Sequence, residues 1–226
     1  MRTSPTPQPD GGTAAPAVST DPPVGGFAAE KEAFAQAAAW FVAVVGRVGG
    51  RWESPGLGEW DVRALVGHTS RSLLTVEAYL AAPAPAVEVD SAAEYLVATS
   101  AIAAGPAVSE RGRAAGAALG AGPAAEVAAV AARVVPLVAA CDGSELLTTI
   151  AGGMRLADYL PTRTFELVVH TADLAAALGV GADVPPLPAA HALALVGQVA
   201  AATGRAAPLL LAATGRRPLP AGYTVL

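Results

Sequence analysis

The chain has 226 residues, which is long enough to bury a core without disulfides, as one large domain or one domain with an appendage. Its formal net charge of −5, without any run of lysines and arginines, argues against a nucleic-acid partner. The single cysteine, Cys141, excludes an intrachain disulfide and a multi-cysteine zinc site. No apolar stretch suits a signal peptide or a membrane span, so we expect a soluble, cytoplasmic protein without a membrane partner.

Taken in order, the chain predicts a disordered tail and then a succession of helices. Residues 1–26 are rich in Pro, Thr, Ser and Gly, and they cannot bury enough surface to offset their ordering entropy. Apolar residues then recur at helical spacing, with caps and Gly or Pro breaks as limits. The predicted helices are Phe27 to about Gly49, Asp61 to Leu80, Ser91 to Ala104, a weak one from Val108 to Leu119, and Ala124 to Ala140. Pro136, inside the last of these, predicts a kink or an early end.

The C-terminal half contains one more strong helix and a smaller unit. Pro161 suits a first helical turn, so a helix is predicted from Pro161 to Leu178, ended by Gly179. A last helix is predicted from about Ala189 to Thr203, and the run Leu209 to Ala212 predicts a strand that can form a hairpin with the residues after it. We therefore predict an all-α antiparallel bundle over residues 27–180 and a short C-terminal α/β extension over residues 181–226.

Metal-ligating residue types stand on apolar faces of two of these helices. Glu166 and His170 are at i and i+4, which places them on one helix face. His68 falls among the apolar positions of the second predicted helix. An acid and imidazoles facing a core need a partner, and a divalent metal with three protein ligands and one open position would supply it. The alternative is a chance Glu-x-x-x-His pair and a histidine that is hydrogen-bonded in the core or exposed.

Two separated passages resemble one known family. The first is WDVRALVGH, residues 60–68, with the tryptophan, cap, arginine, leucine and histidine of the family pattern. The second is RTFELVVHTADL, residues 163–174, with its arginine, glutamate, histidine, aspartate and leucine. Both are similar to the mycothiol-dependent maleylpyruvate isomerase family, within the DinB/YfiT-like metalloenzyme superfamily. The ending Leu209 to Arg217 also looks like the C-terminal signature of that family, so the resemblance covers roughly residues 27–226.

The resemblance implies a DinB-like antiparallel four-helix bundle that binds one divalent metal, usually zinc, through His68, Glu166 and His170. It also implies mycothiol as a low-molecular-weight thiol cosubstrate and a small electrophile as substrate. A metal-held thiolate attacks an electrophilic carbon; the adduct gives cis-trans isomerisation if it expels the thiol and S-transfer if it keeps it. The region after Gly179 is shorter than the C-terminal domain of the family's isomerases, which favours a thiol transferase. A homodimer is one option.

Further residues have two interpretations each. Arg163 can orient the carboxylate of Glu166 or form a surface ion pair, and Asp173 can hold a histidine N–H or lie at the surface. Arg216 and Arg217 can bind a carboxylate of a ligand or remain solvated. The function has alternatives as well: a catalytically silent bundle that binds a small molecule or regulates, and a hydrolase of the same superfamily in which the metal activates water.

Overall fold

The computed structural model describes residues 25–103 and 107–226, so the predicted tail lies outside the described residues except for Gly25 and Gly26. The same is true of Ala104, the predicted end of the third helix. The described residues form eight helices and one two-stranded sheet. The helices are α1 (Gly26–Val45), α2 (Val62–Leu80), α3 (Ala92–Ala103), α4 (Ala107–Ala118), α5 (Pro123–Ala139), α6 (Leu156–Ala177), α7 (Pro186–Ala202) and α8 (Ala206–Ala213). The strands are β1 (Leu146–Thr149) and β2 (Gly152–Arg155), which pair antiparallel.

Side-chain caps fix the beginnings of α2 and α3, as the sequence predicts. Oδ1 of Asp61 accepts a hydrogen bond of 2.7 Å from the N–H of Ala64, in the first turn of α2. Oγ of Ser91 accepts one of 3.2 Å from the N–H of Glu94, in the first turn of α3. The predicted starts of these two helices are therefore confirmed.

The helix that carries the RTFELVVHTADL passage begins five residues earlier than predicted. It starts at Leu156, directly after β2, so Pro161 lies inside it and not in its first turn. The early start is stabilised from outside the helix. The N–H of Leu156 donates to the carbonyl of Glu145 at 2.8 Å, and the N–H of Ala157 donates to the carbonyl of Gly143 at 3.0 Å. These bonds satisfy two of the free donors of the first turn.

The predicted C-terminal strand is wrong, whereas α5 ends within one residue of its predicted end at Ala140, so of the two effects predicted for Pro136 the early end does not occur. Leu209 to Ala212 belong to α8, and the sheet of the described residues pairs only β1 with β2, which precede α6. A short apolar run fits a helix as well as a strand, and the structure offers this run no partner strand within the described chain. In α5, the helix continues past Pro136 to Ala139.

Four helices contact one another in a closed ring, in which α1 and α2 each touch both α5 and α6. Outside the ring, α4 packs against α2, α3 packs against α6, and α7 packs against α1, α3 and α6. The buried core is continuous from α1 to α7. Among the described residues, no single helix is both long and apolar enough to cross a membrane; α4 and α5 reach those limits only as a pair joined across a bend of 95°.

Glycines allow α4 to lie very close to α2. A Cβ at Gly67 would lie 2.1 Å from the backbone nitrogen of Gly116, and a Cβ at Gly116 would lie 2.8 Å from the carbonyl oxygen of Arg63. These separations are shorter than non-bonded carbon contacts allow, so only glycine fits at the crossing. Because His68 follows Gly67 directly, this contact also fixes the position of the histidine on α2.

Candidate metal centre

The structure brings the three predicted ligands together where α2 meets α6. His68 comes from α2, and Glu166 and His170 come from α6. One ligand atom from each residue lies within 4.8 Å of the other two. The His68 and His170 rings meet edge to face with their centroids 4.8 Å apart, and Nε2 of His170 lies 3.1 Å from Oε2 of Glu166. Two imidazoles and a carboxylate from distant parts of the sequence therefore converge on one point.

A carboxylate holds the far side of the His170 ring. Nδ1 of His170 lies 3.1 Å from Oδ2 of Asp173, one turn further along α6. Because an ionised carboxylate only accepts hydrogen bonds, Nδ1 carries the proton, and Nε2 is the nitrogen directed toward Glu166. Metal-ligating histidines commonly donate their second ring N–H to a carboxylate in this way. The contact agrees with the histidine-holding interpretation of Asp173.

The environment of His68 leaves one of its polar atoms without a protein partner. Its Nδ1 is buried and has no hydrogen-bond partner. The Trp60 ring covers the imidazole with the two centroids 4.6 Å apart, and Nε1 of Trp60 is itself held by the carbonyl of Ser109 at 3.1 Å. A buried nitrogen without a partner costs free energy, and a bound ion in this centre would relieve that cost. A set of two histidines and one glutamate is also a usual donor set of catalytic zinc, so the residues fit a divalent metal.

Burial and neighbouring charges set the protonation states of the three side chains. Burial alone would raise the pKa of Glu166, but the hydrogen bond from His170 and the charge of Arg163 lower it to about 2. Burial alone would lower the pKa of His170, but its hydrogen bonds to Asp173 and Glu166 raise it to about 9. Burial and the nearby His170 lower the pKa of His68 to about 4. At neutral pH the centre without an ion thus holds one carboxylate, one imidazolium and one neutral imidazole.

Arg163 interacts with Glu166 through long-range electrostatics and does not form a direct ion pair with it. Its Nε donates to Oγ1 of Thr162 at 2.9 Å. The guanidinium carbon lies 4.9 Å from the ring centroid of Tyr159 and 5.6 Å from that of Tyr95. None of the ion pairs among the described residues includes Arg163. Its predicted role in orienting Glu166 therefore stays a prediction.

A cavity of about 700 Å³ opens beside the three ligands. Side chains from α2, α3 and α6 form most of its wall, and three arginines, Arg71, Arg111 and Arg163, are among the residues that line it. Arg216 and Arg217 do not line it; they lie exposed after α8, so the structure does not bring these two predicted ligand-binding residues to the centre. Their assignment stays a prediction.

Sequence reasoning missed a buried acid and the inward position of an arginine. Glu30 of α1 is fully buried; its Oε1 accepts from Oγ1 of Thr164 at 2.6 Å, and its Oε2 lies 2.5 Å from Nδ1 of His191. An acid one turn before Phe34, on the Ala- and Phe-rich face of α1, was a signal for this burial. Arg71, three residues after His68, follows the same face of α2 toward the cavity.

Comparison with known protein families gives a match over most of the chain. Residues 28–175 match the profile of the family described as "Mycothiol maleylpyruvate isomerase N-terminal domain". This range covers well over half of the chain and includes His68, Glu166, His170 and Asp173. No curated protein and no solved structure matches the chain.

Proposed function

The chain belongs to the mycothiol maleylpyruvate isomerase N-terminal domain family, and we propose on this premise that it is a zinc-dependent enzyme using a low-molecular-weight thiol, mycothiol, as nucleophile. Its substrate is a small electrophile, and its reaction is an S-transfer or a cis-trans isomerisation. The observation that carries the proposal is the convergence of His68, Glu166 and His170 within 4.8 Å, at the wall of a cavity of about 700 Å³.

We also infer the arrangement of the bundle from helix contacts. The closed ring of α1, α2, α5 and α6 supports a DinB-like antiparallel four-helix bundle. In that arrangement α2 and α6 present their ligands to each other across one seam. The boundary at residue 180, the homodimer and the cytoplasmic location remain predictions from the sequence.

Each residue of the centre has a distinct task. His68, Glu166 and His170 would hold the metal, and zinc there would lower the pKa of a thiol enough to supply a thiolate near neutral pH. Asp173 keeps Nδ1 of His170 protonated, so Nε2 stays available as the donor atom. Trp60 covers the His68 ring and limits the access of water to that side.

The nucleophile has to come from a cosubstrate. Cys141 is the only thiol of the chain, and it is not among the residues that line the cavity. Burial and the neighbouring Glu145 raise the pKa of Cys141 to about 11, so it is a thiol and not a thiolate at neutral pH. A separate low-molecular-weight thiol fits both the family and the free space beside the ligands.

The test measures metal content and reaction products together. Protein purified without chelator should contain about one zinc per chain, as a single three-ligand site requires. Incubation with mycothiol and a panel of electrophiles, followed by mass spectrometry, should reveal a thiol conjugate or an isomerised product. Glu166→Gln should lose both the metal and the reaction, whereas Glu53→Gln, at an exposed loop position, should keep both.

Other outcomes would point to the alternatives. Products that contain oxygen from water, formed without mycothiol, would indicate a hydrolase. Tight binding of a small molecule, unaffected by chelator and without any reaction, would indicate a silent binding protein. Wild-type protein that purifies without metal and still forms thiol conjugates would contradict the proposal.

A further inference from the structure

Three arginines, Arg71, Arg111 and Arg163, line the cavity beside the candidate ligands, and two of them, Arg71 and Arg163, form no salt bridge within the described residues. Arg71 comes from α2 and Arg163 from α6. A guanidinium offers five N–H donors, and Arg163 uses its Nε on Thr162. Positive groups that line a cavity and form no salt bridge favour an anionic ligand there.

The surroundings hold Arg163 in a fixed orientation. Its guanidinium stacks on the rings of Tyr159 and Tyr95. The hydroxyl of Tyr159 donates to Oγ1 of Thr75 at 3.0 Å, and the Tyr79 and Tyr95 rings lie 5.4 and 5.5 Å from the Tyr159 ring. An arginine held in place by aromatic packing loses little conformational freedom when it binds an oxyanion. This region of the wall is therefore preorganised for an anionic group.

The rim of the same cavity is apolar. Four large apolar side chains, each between 36% and 60% exposed, line it: Leu57, Ile150, Val169 and Leu226. Single exposed apolar residues are common on proteins, but several around one cavity indicate a ligand with an apolar body. The side chains come from four different segments of the chain, so the fold and not one local sequence assembles the rim.

We propose that the electrophile is an amphipathic anion, with one carboxylate-type group bound by Arg71 and Arg163 and a flat apolar or aromatic body against the rim. This proposal specifies the substrate class of the proposed function, and it depends on that function only in taking the bound anion to be the electrophile. A small dicarboxylate would leave the apolar rim uncovered. A neutral molecule of the same shape would give neither Arg71 nor Arg163 an anionic group to pair with.

The test compares three probes that separate charge from apolar area. Cinnamate has one carboxylate and an aromatic body, cinnamamide has the same body without the charge, and maleate has two carboxylates without the body. Calorimetric titration of the zinc-loaded protein and of the chelator-treated protein should give cinnamate the highest affinity in both forms. We expect a margin of about tenfold over each of the other probes, as one charge-assisted pair or one buried ring provides.

Substitutions test which residues cause the preference for cinnamate over the other two probes. Arg71→Met and Arg163→Met should each remove most of the margin of cinnamate over cinnamamide while zinc content at saturating zinc stays at the wild-type value. Arg47→Met, at an exposed position, is the matched control and should leave the margin unchanged. Ile150→Ser should weaken cinnamate and leave maleate unchanged. If Arg163→Met does not fold, as judged by circular dichroism, Arg71→Met and Ile150→Ser still decide the question.

Three results would overturn the inference. The first is that cinnamate and cinnamamide bind equally well, and the second is that maleate binds as tightly as cinnamate. The third is that the Arg71→Met/Arg163→Met double variant still binds cinnamate more tightly than cinnamamide, and that this difference in affinity disappears when a chelator removes the metal. The last result would mean that the metal, and not the arginines, binds the carboxylate. This test is independent of the proposed function. Even if the protein binds no zinc or transfers no thiol, the relative affinities of the three probes can still be measured on metal-free protein.

Discussion

Asp173 holds His170 from the side opposite to the candidate metal position, with Oδ2 and Nδ1 3.1 Å apart on neighbouring turns of α6. The same ring meets Glu166 through Nε2 at 3.1 Å. One helix thus supplies two candidate ligand atoms and a carboxylate in hydrogen-bond contact with one of the two residues. This arrangement needs only the i, i+3 and i+4 spacings of a helix, so it depends little on the rest of the fold.

Removal of the orienting carboxylate should weaken metal binding. Asp173→Ala frees the His170 ring to rotate and removes the acceptor that fixes its tautomer, so we expect zinc affinity to fall by about 10- to 100-fold. Competition with a chromophoric chelator measures the change. Asp183→Ala, in the exposed segment after α6, is the control and should bind zinc like the wild type. Equal affinities of the two variants would show that Asp173 does not support the ligand.

Metal binding should release a proton at neutral pH. His170 has a pKa raised to about 9 in the ion-free centre, so it is protonated at pH 7 and must lose its Nε2 proton before it can bind a metal. His68 and Glu166, with pKa values lowered to about 4 and about 2, are already deprotonated. Apparent zinc affinity should therefore rise about tenfold per pH unit above neutrality and level off as the pH passes the pKa of His170. Calorimetry in two buffers of different ionisation enthalpy should give about one proton per zinc. Heats that do not depend on the buffer would contradict this assignment.

The close approach of α4 to α2 should make Gly67 intolerant of a side chain. The Cβ of Gly67→Ala would lie 2.1 Å from the backbone of Gly116, so α4 must move away, at a cost of about 1–3 kcal/mol or more. Since His68 is the next residue, zinc binding should weaken as well. Gly197→Ala is the matched control: this glycine lies inside α7 with nothing within 4 Å of an added Cβ, and it should gain about 0.5–1 kcal/mol of helix stability. Urea unfolding measures both; similar effects of the two substitutions would disprove the tight crossing.

The buried acid of α1 should contribute to stability and not to metal binding. Glu30→Ala removes the partner of both Thr164 and His191 and leaves a buried imidazole unpaired, so we expect a loss of about 3–5 kcal/mol in the free energy of unfolding. Glu32→Ala, two residues along the same helix but exposed, should change it by less than about 0.5 kcal/mol. Zinc stoichiometry of the folded Glu30→Ala protein should stay unchanged. If Glu30→Ala is as stable as Glu32→Ala, the contact between Glu30 of α1 and His191 of α7 does not contribute to stability.

Local patterns in the sequence predicted the parts of the molecule that depend on near neighbours. The capping residues Asp61 and Ser91 set the beginnings of α2 and α3, because a cap bonds to a backbone group three residues away. The i, i+4 spacing of Glu166 and His170 predicted their shared face for the same reason. The motif around His68 added the third candidate ligand, and the three residues do meet; that they bind a metal stays a prediction.

Tertiary contacts decided what spacing could not express. The start of α6 depends on carbonyls of Glu145 and Gly143, and the run at Leu209 became helical with no partner strand in the described chain. The pair of Glu30 with His191 joins residues 161 positions apart, and the cavity takes its charge and its apolar rim from several segments. Hydrophobic periodicity states that a face is buried, but it does not state which other face covers it. That choice depends on how whole helices pack, and it determines the surroundings in which the ligands act.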